Sequence, residues 1–472
     1  MKFIDRSSEI ARLDGLIARP EGGLAVLWGR RRVGKTRLLL EWSSRHPGLY
    51  TVADESASAV QRANFARAVA NKFQEFDEVT YPDWPALLRR LLGRCQAAKW
   101  RGPLIIDELP YLIAAAPSFA SVFQNWLDRE ARSAGLVVAV AGSSQRMMQG
   151  IVLDANAPLF GRASELIELR PLLPGYLADA FEASGPRRCV ELYAIWGGIP
   201  RYWELATPLG GDLEKAVDRL VLDPSGPLHR EPDRLLLEES PPAVSLRPLL
   251  DVIGAGASRV SEIAGRLGQP ATSLSRPLVR LAQLGLVKRE LPYGELEKSS
   301  KLAVYRIADP FFRFWFSTVA PRRSLFVESP AETRIAVWKE RRTSLESETW
   351  EDLCRTAVPY LHRGENALGG FGPWEPARRY WKGKGPEWDV VAPSLDGKRL
   401  LLGEAKWLSE PADSSVLAGI ASELTRKGNV PFALAGKRET VWAVFVPELK
   451  RGCRSPAGIQ VLDAARILSC LR

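Results

Sequence analysis

Three groups of residues in this 472-residue chain have the types and spacing to do chemistry. The first is Gly29-Arg30-Arg31-Arg32-Val33-Gly34-Lys35-Thr36, followed by Arg37, in the pattern G-x4-G-K-[ST]. Two glycines let a backbone curl until successive N–H groups face one phosphate. Lys35 would supply a cation for β- and γ-phosphates, and Thr36 a hydroxyl for Mg2+. The second group is Asp107-Glu108. One carboxylate there would hold Mg2+, usually through water, and the other would orient or deprotonate an attacking water. The third is Asp389, Glu404 and Lys406, with Glu351 available from another segment. Carboxylate oxygens bind hard divalent cations, and a nearby lysine can position water or screen developing charge. That combination suits Mg2+-dependent phosphodiester hydrolysis, with Glu351, Asp389 and Glu404 as metal ligands.

The elements that must position these groups are readable in outline. Val26-Leu27-Trp28 leads into the glycine loop, and Arg37 to Ser44 reads as a helix. A helix start adds the positive end of its dipole to the phosphate site. Leu104-Ile105-Ile106 before Asp107 suits a central parallel strand buried on both faces. Its carboxylates then stand where such sheets bind ligands. A third strand, Leu136 to Ala141, ends at Gly142-Ser143-Ser144. Ser144 or Ser143 could sense the γ-phosphate or the lytic water, or could cap a helix from Gln145. Arg162, in Pro158-Leu159-Phe160-Gly161-Arg162, is a candidate arginine finger or sensor. A surface salt bridge is the competing role, and action in trans would need a ring or dimer. Arg201 is a further possible sensor. Near the start, Ser7 or Ser8 can cap a helix with Glu9 in its first turn.

Farther on, residues 171–240 read as helical and 241–308 as three short helices and a two-stranded hairpin. That order makes a winged helix-turn-helix. Ser273, Ser275, Arg276 and Arg280 fall on its recognition helix and could meet DNA, although Glu290, Glu295 and Glu297 dilute the basic charge. Phe311 to Phe316 reads as an apolar plug joining two domains. Thr343–Tyr360 reads as an amphipathic helix carrying Glu351. Trp388–Ala392 and Arg399–Trp407 read as antiparallel strands joined at Asp396-Gly397. Period two places Glu404 and Lys406 on one face.

Composition narrows the classes. Sixty-five Lys and Arg against fifty-five Asp and Glu give a net charge of +10, which fits a polyanionic partner. No apolar run reaches the roughly 18 residues of a membrane span. Five scattered cysteines, none in C-x-x-C, point to reduced thiols in a cytoplasm and away from a zinc site.

Trp28-Gly29 through Thr36, Ile105-Ile106-Asp107-Glu108-Leu109, Ala141-Gly142-Ser143-Ser144, Pro158 through Arg162 and Trp196-Gly197-Gly198-Ile199-Pro200-Arg201-Tyr202 come in the order of a known family. The stretch resembles the archaeal-type P-loop ATPases of the STAND/AAA+ group. The resemblance implies ATP binding by Gly34, Lys35 and Thr36, with Asp107 and Glu108 as the Mg2+ and water residues. Phe311 to Trp315, Trp350-Glu351-Asp352-Leu353-Cys354, Glu387-Trp388-Asp389-Val390-Val391 and Gly403-Glu404-Ala405-Lys406-Trp407 resemble a PD-(D/E)xK restriction-endonuclease-like domain. They are similar in particular to the domain of unknown function found C-terminal to such ATPases. The residue before Asp389 is Trp388, with Pro386 close by.

The expected architecture is α/β throughout. A P-loop ATPase core with a parallel sheet spans 1–170, and a helical lid spans 171–240. A winged helix spans 241–308, and a PD-(D/E)xK nuclease-like domain spans 309–472. The expected function is ATP binding and hydrolysis, with Mg2+, coupled to a domain that binds DNA and whose further expected activity is Mg2+-dependent DNA cleavage. A nucleotide-controlled switch with a non-cleaving module is the alternative, with a second copy or another protein as partner.

Overall fold

The computed structural model describes every residue except 1, 144, 156, 183–184, 211, 240–245, 299–301 and 363–367. It divides into two compact units. The first holds residues 1–172 with 199–201 and a short stretch at 238–240; the second holds the remainder.

In the first unit five strands form one sheet, in the spatial order β2-β3-β4-β1-β5. They are β1 (Gly23–Trp28), β2 (Leu49–Val52), β3 (Leu104–Asp107), β4 (Val137–Gly142) and β5 (Ala163–Glu168). Every pairing is parallel. Alternate residues feed two cores. Leu24, Val26, Leu104, Ile106, Val138 and Val140 pack on one face. Ala25, Leu27, Ile105, Val137, Ala139 and Ala141 pack on the other. A continuous apolar run is what such a double burial demands.

One local expectation is corrected here. The first helix, Ser7–Ala18, is not capped by a serine: Arg6 occupies the N-cap position in the left-handed region at φ 73, with no side-chain cap bond. The reason is that the Arg6 side chain turns inward, as described below.

The second unit contains β6 (Val287–Glu290) and β7 (Val304–Ile307), an antiparallel hairpin. Three helices precede it: Arg247–Gly254, Val260–Leu267 and Ser275–Gln283. A second sheet runs β12-β11-β10-β9-β8. Its strands are β8 (Arg378–Tyr380), β9 (Trp388–Pro393), β10 (Arg399–Ala405), β11 (Glu439–Phe445) and β12 (Ile459–Leu462). The β8-β9 and β9-β10 pairs are antiparallel, and the β10-β11 and β11-β12 pairs are parallel. The Ala331–Ala357 helix is 27 residues long, starting well before the expected Thr343. Residues 173–198 and 202–237, expected as a lid on the nucleotide sheet, cluster with this second unit. Phe311, Phe312, Phe314, Trp315 and Phe316 are wholly buried, and the Trp315 indole donates to the His229 carbonyl at 2.7 Å. These rings build the second unit's own core. No helix among the described residues is long and apolar enough to cross a membrane.

Candidate functional site

The parallel register brings three strand ends to one edge of the first sheet. Trp28 pairs with Gly142, and Ile106 pairs with Val140, so the glycine loop, Asp107 and Ser143 all follow their strands on the same side. Gly29 holds φ 146, and a Cβ there would collide with the Leu169 carbonyl oxygen. Gly34 holds φ 100 directly before the Lys35–Arg45 helix. Both positions therefore require glycine.

Lys35 is 5 % exposed, and its ammonium donates to the Gly29 carbonyl at 2.7 Å and the Arg30 carbonyl at 3.2 Å. Thr36 donates its hydroxyl to Asp107 Oδ2 at 2.7 Å, and the Tyr50 hydroxyl donates to the same oxygen at 2.9 Å. Asp107 is 1 % exposed, and its other oxygen accepts the Glu108 amide at 2.9 Å. Burial and then the Asp107 charge push the Tyr50 phenol upward, so it stays a donor at all ordinary pH. Glu108 sits in the left-handed region at φ 54, an unfavourable conformation for a side chain with a Cβ. Its carboxylate accepts from both the Ser143 amide (3.0 Å) and the Ser143 hydroxyl (2.9 Å). Of the serine pair, Ser143 is therefore brought to the site, and Ser144 lies outside the described residues.

The remaining loop residues spread differently. Arg31 donates to the Tyr111 hydroxyl at 3.0 Å. Val33 is buried, while Arg32 and Arg37 are exposed and Arg30 is half-buried. Arg6 packs against the loop. Its guanidinium donates to the Val33 carbonyl (3.2 Å), the Arg170 carbonyl (2.7 Å) and Glu9 (3.2 Å). It braces the loop from beneath. Pro200 Cγ lies 3.8 Å from where a Cβ would stand on Gly34, and Ile199–Arg201 cluster with this unit.

Arg162 does not reach the loop within the chain. Ala163 pairs with Leu24, at the opposite end of β1 from Trp28. There Arg162 binds Asp128 at 3.0 Å and the Pro158 carbonyl at 3.2 Å. The parallel connection forces this: a residue just before a parallel strand lies at the end remote from the ligand edge. The salt-bridge role replaces the phosphate role for a cation acting in its own chain.

In the second unit, Asp389 and Glu404 fall opposite each other by continuing the β9-β10 register past Val390 and Gly403. The Ala405 amide donates to Asp389 Oδ2 at 3.0 Å. Lys406 pairs with Glu404 Oε1 at 2.7 Å, and Lys427 pairs with Oε2 at 2.5 Å. Burial, then the Glu404 charge, raises the Asp389 carboxyl above its ordinary range. Burial, then Asp389, does the same to Glu351. Asp389, Glu404 and Lys406 thus come together as expected. The three-acid metal set does not: among the described residues no group of three possible ligands is formed, and lysines pair with both oxygens of Glu404. Lys427, at the end of the Ser414–Lys427 helix, was not foreseen.

Residues 3–205 match an ATPase domain predominantly from Archaea. The loop, the buried Asp107 and the strand order make this a P-loop ATPase domain. Residues 315–416 match a family described as archaeal and bacterial proteins of unknown function. The chain joins these two domains. An uncharacterized protein of Methanocaldococcus jannaschii is 28% identical over 408 residues, covering 86% of this chain and 87% of that one. The Walker-type ATPase PABY2304 of Pyrococcus abyssi superposes with a TM-score of 0.53 at 20% identity. That match covers 66% of this chain and 96% of the other, and it is a likeness of fold.

Proposed function

We propose that the first unit binds and hydrolyses ATP at the glycine loop, and that nucleotide state governs a second unit that engages nucleic acid. The observation that carries the first part is the Thr36–Asp107 hydrogen bond, which joins the loop helix to the acid strand. The hydroxyl of Thr36 and the buried carboxylate of Asp107 are the hard oxygen donors that Mg2+ prefers. When bound there, Mg2+ would neutralise phosphate charge. Lys35 would exchange its two carbonyl acceptors for the β- and γ-phosphate oxygens, a stronger charge-assisted contact. Glu108 would orient the attacking water and take its proton, and Ser143 holds the Glu108 carboxylate in place for that role. Ser143 stands near that carboxylate as a sensor candidate; Arg201 follows Pro200 beside Gly34.

The second unit's three helices and hairpin support a winged helix, and its mixed sheet with Asp389, Glu404 and Lys406 supports a restriction-endonuclease-like domain. The residues as arranged do not fit a divalent metal, so the unit is read as binding DNA rather than cutting it. One observation favours cleavage as a second reading: Asp389 and Glu404 repel each other, and a cation between them would relieve that repulsion.

Steady-state ATP turnover with Mg2+, compared between the chain and Glu108→Gln, tests the first part. A fall of about 10²-fold or more with ATP affinity retained is expected. Equal turnover would refute it. Plasmid incubated with Mg2+, beside Glu404→Ala, separates the readings of the second unit: metal-dependent cutting lost in the variant establishes the nuclease, and an intact plasmid supports binding alone.

A further inference from the structure

A cleft of about 690 Å³ opens in the second unit, away from the Ser275–Gln283 helix. The Ala255–Arg259 loop and β7 form one wall, the Ala331–Ala357 helix another, and Arg379, Trp381 and Glu387 complete the lining. Five arginines line it against three glutamates. Each glutamate is already engaged. Glu348 pairs with Arg306 at 2.8 Å, Glu387 with Arg379 at 3.7 Å, and Glu262 accepts the Ser258 and Arg259 amides. Arg341 is exposed and has no acidic partner among the described residues. Arg313, only 6 % exposed, spends two nitrogens on Asp352 and the Ile307 carbonyl, and its Nη1 has no hydrogen-bond acceptor. Arg313 is also paired with Glu348 at 3.7 Å, so the excess charge of the lining rests on the count of arginines over glutamates and on Arg341.

Trp381 supplies a second kind of contact. It is half-buried, lies beside the Arg379 guanidinium at 5.8 Å, and lines both this cleft and a neighbouring one of about 390 Å³. Exposed Lys382 and Lys384 follow it directly. Glu387 stands just before β9, two residues from Asp389. An aromatic face amid arginines is the surface that unpaired bases and their phosphates use, and it needs no base sequence. A duplex hides its base faces and gains nothing from Trp381.

We propose that this cleft holds one strand of single-stranded nucleic acid, with Arg341 and Arg379 on phosphates and Trp381 stacked on a base, directed toward Asp389 and Glu404. The proposal rests on the reading of the second unit as a nucleic-acid module and names the form of nucleic acid it takes.

The test uses the full chain and fluorescence anisotropy with labelled oligothymidylate, oligouridylate and a mixed-sequence duplex, each of about 20 nucleotides per strand, longer than common single-strand site sizes. The strands are expected to bind more tightly than the duplex. Trp381→Ala is expected to weaken strand binding about tenfold, with Trp381→Phe restoring most of it. Arg341→Ala, at an exposed position, is expected to lower the slope of log affinity against log salt by about 0.7. Unchanged circular dichroism and thermal unfolding of both variants verify folding. Duplex binding equal to strand binding, with Trp381→Ala and Arg341→Ala without effect, overturns the cleft but leaves the nucleic-acid reading standing. Binding of neither form overturns both. A strand preference untouched by either variant moves the site elsewhere and also overturns the proposal. The two oligomers tell whether the strand is DNA or RNA.

Discussion

Thr36 and Asp107 meet through a 2.7 Å hydrogen bond between a helix start and a strand end that are 71 residues apart in sequence. The bond closes the glycine loop against β3. It also leaves Asp107 with a second donor, Tyr50, on the same oxygen. Two donors hold that oxygen beside the start of the loop helix.

From this follows a graded pair of variants. Asp107→Asn keeps the shape but loses the charge and one acceptor, so ATP turnover should fall by about 10²-fold or more. Tyr50→Phe removes one donor and should cost about 1 kcal/mol of stability, with a much smaller loss of turnover. Thermal unfolding and steady-state hydrolysis read both. Equal losses in the two variants would contradict the ranking.

Arg162 offers a negative control. It stands at the Leu24 end of β1, bound to Asp128, so Arg162→Ala should leave ATP affinity within about twofold. Titration with a labelled ATP analogue measures this. A loss of turnover that grows with protein concentration would instead place Arg162 on a neighbouring copy's nucleotide.

The acid pair of the second unit predicts a pH dependence. Asp389 and Glu351 have raised carboxyl pKa values, chiefly from burial. The folded chain therefore binds more protons than the unfolded chain above the ordinary values of 3.8 and 4.5. Stability must fall as pH rises from there through the raised values. Asp389→Asn keeps an acceptor for the Ala405 amide and removes the buried charge. It should flatten that fall and raise the second unit's melting temperature by about 2–4 °C near pH 7. Melting curves from about pH 4 to pH 7 decide it, and parallel slopes in the two proteins would contradict the assignment.

Much of this was legible in the sequence, and the exceptions share a cause. The loop from Gly29 to Thr36 and the run into Asp107 are local patterns, in which periodicity and chemistry occupy neighbouring residues. Asp389 and Glu404 were recoverable because a hairpin fixes its own register. The Arg6–Val33 and Tyr50–Asp107 contacts were not, since each spans 27 or 57 residues through tertiary packing alone. Lys427 escaped notice for the same reason, reaching Glu404 from the far end of a helix. Arg162 misled because a lone cation carries no sign of which end of a parallel strand it will occupy. The length of the Ala331–Ala357 helix was underestimated because its early apolar residues, Ile335 to Trp338, stand in one short run rather than in a helical stripe.

The measurement that tests the nucleotide site most directly is isothermal titration of the intact chain and of Lys35→Ala with a non-hydrolysable ATP analogue and Mg2+. Lys35 is nearly buried against the loop carbonyls it would release to phosphate. Its loss should weaken binding by about a hundredfold or more. Unchanged affinity in Lys35→Ala would contradict phosphate binding at this loop.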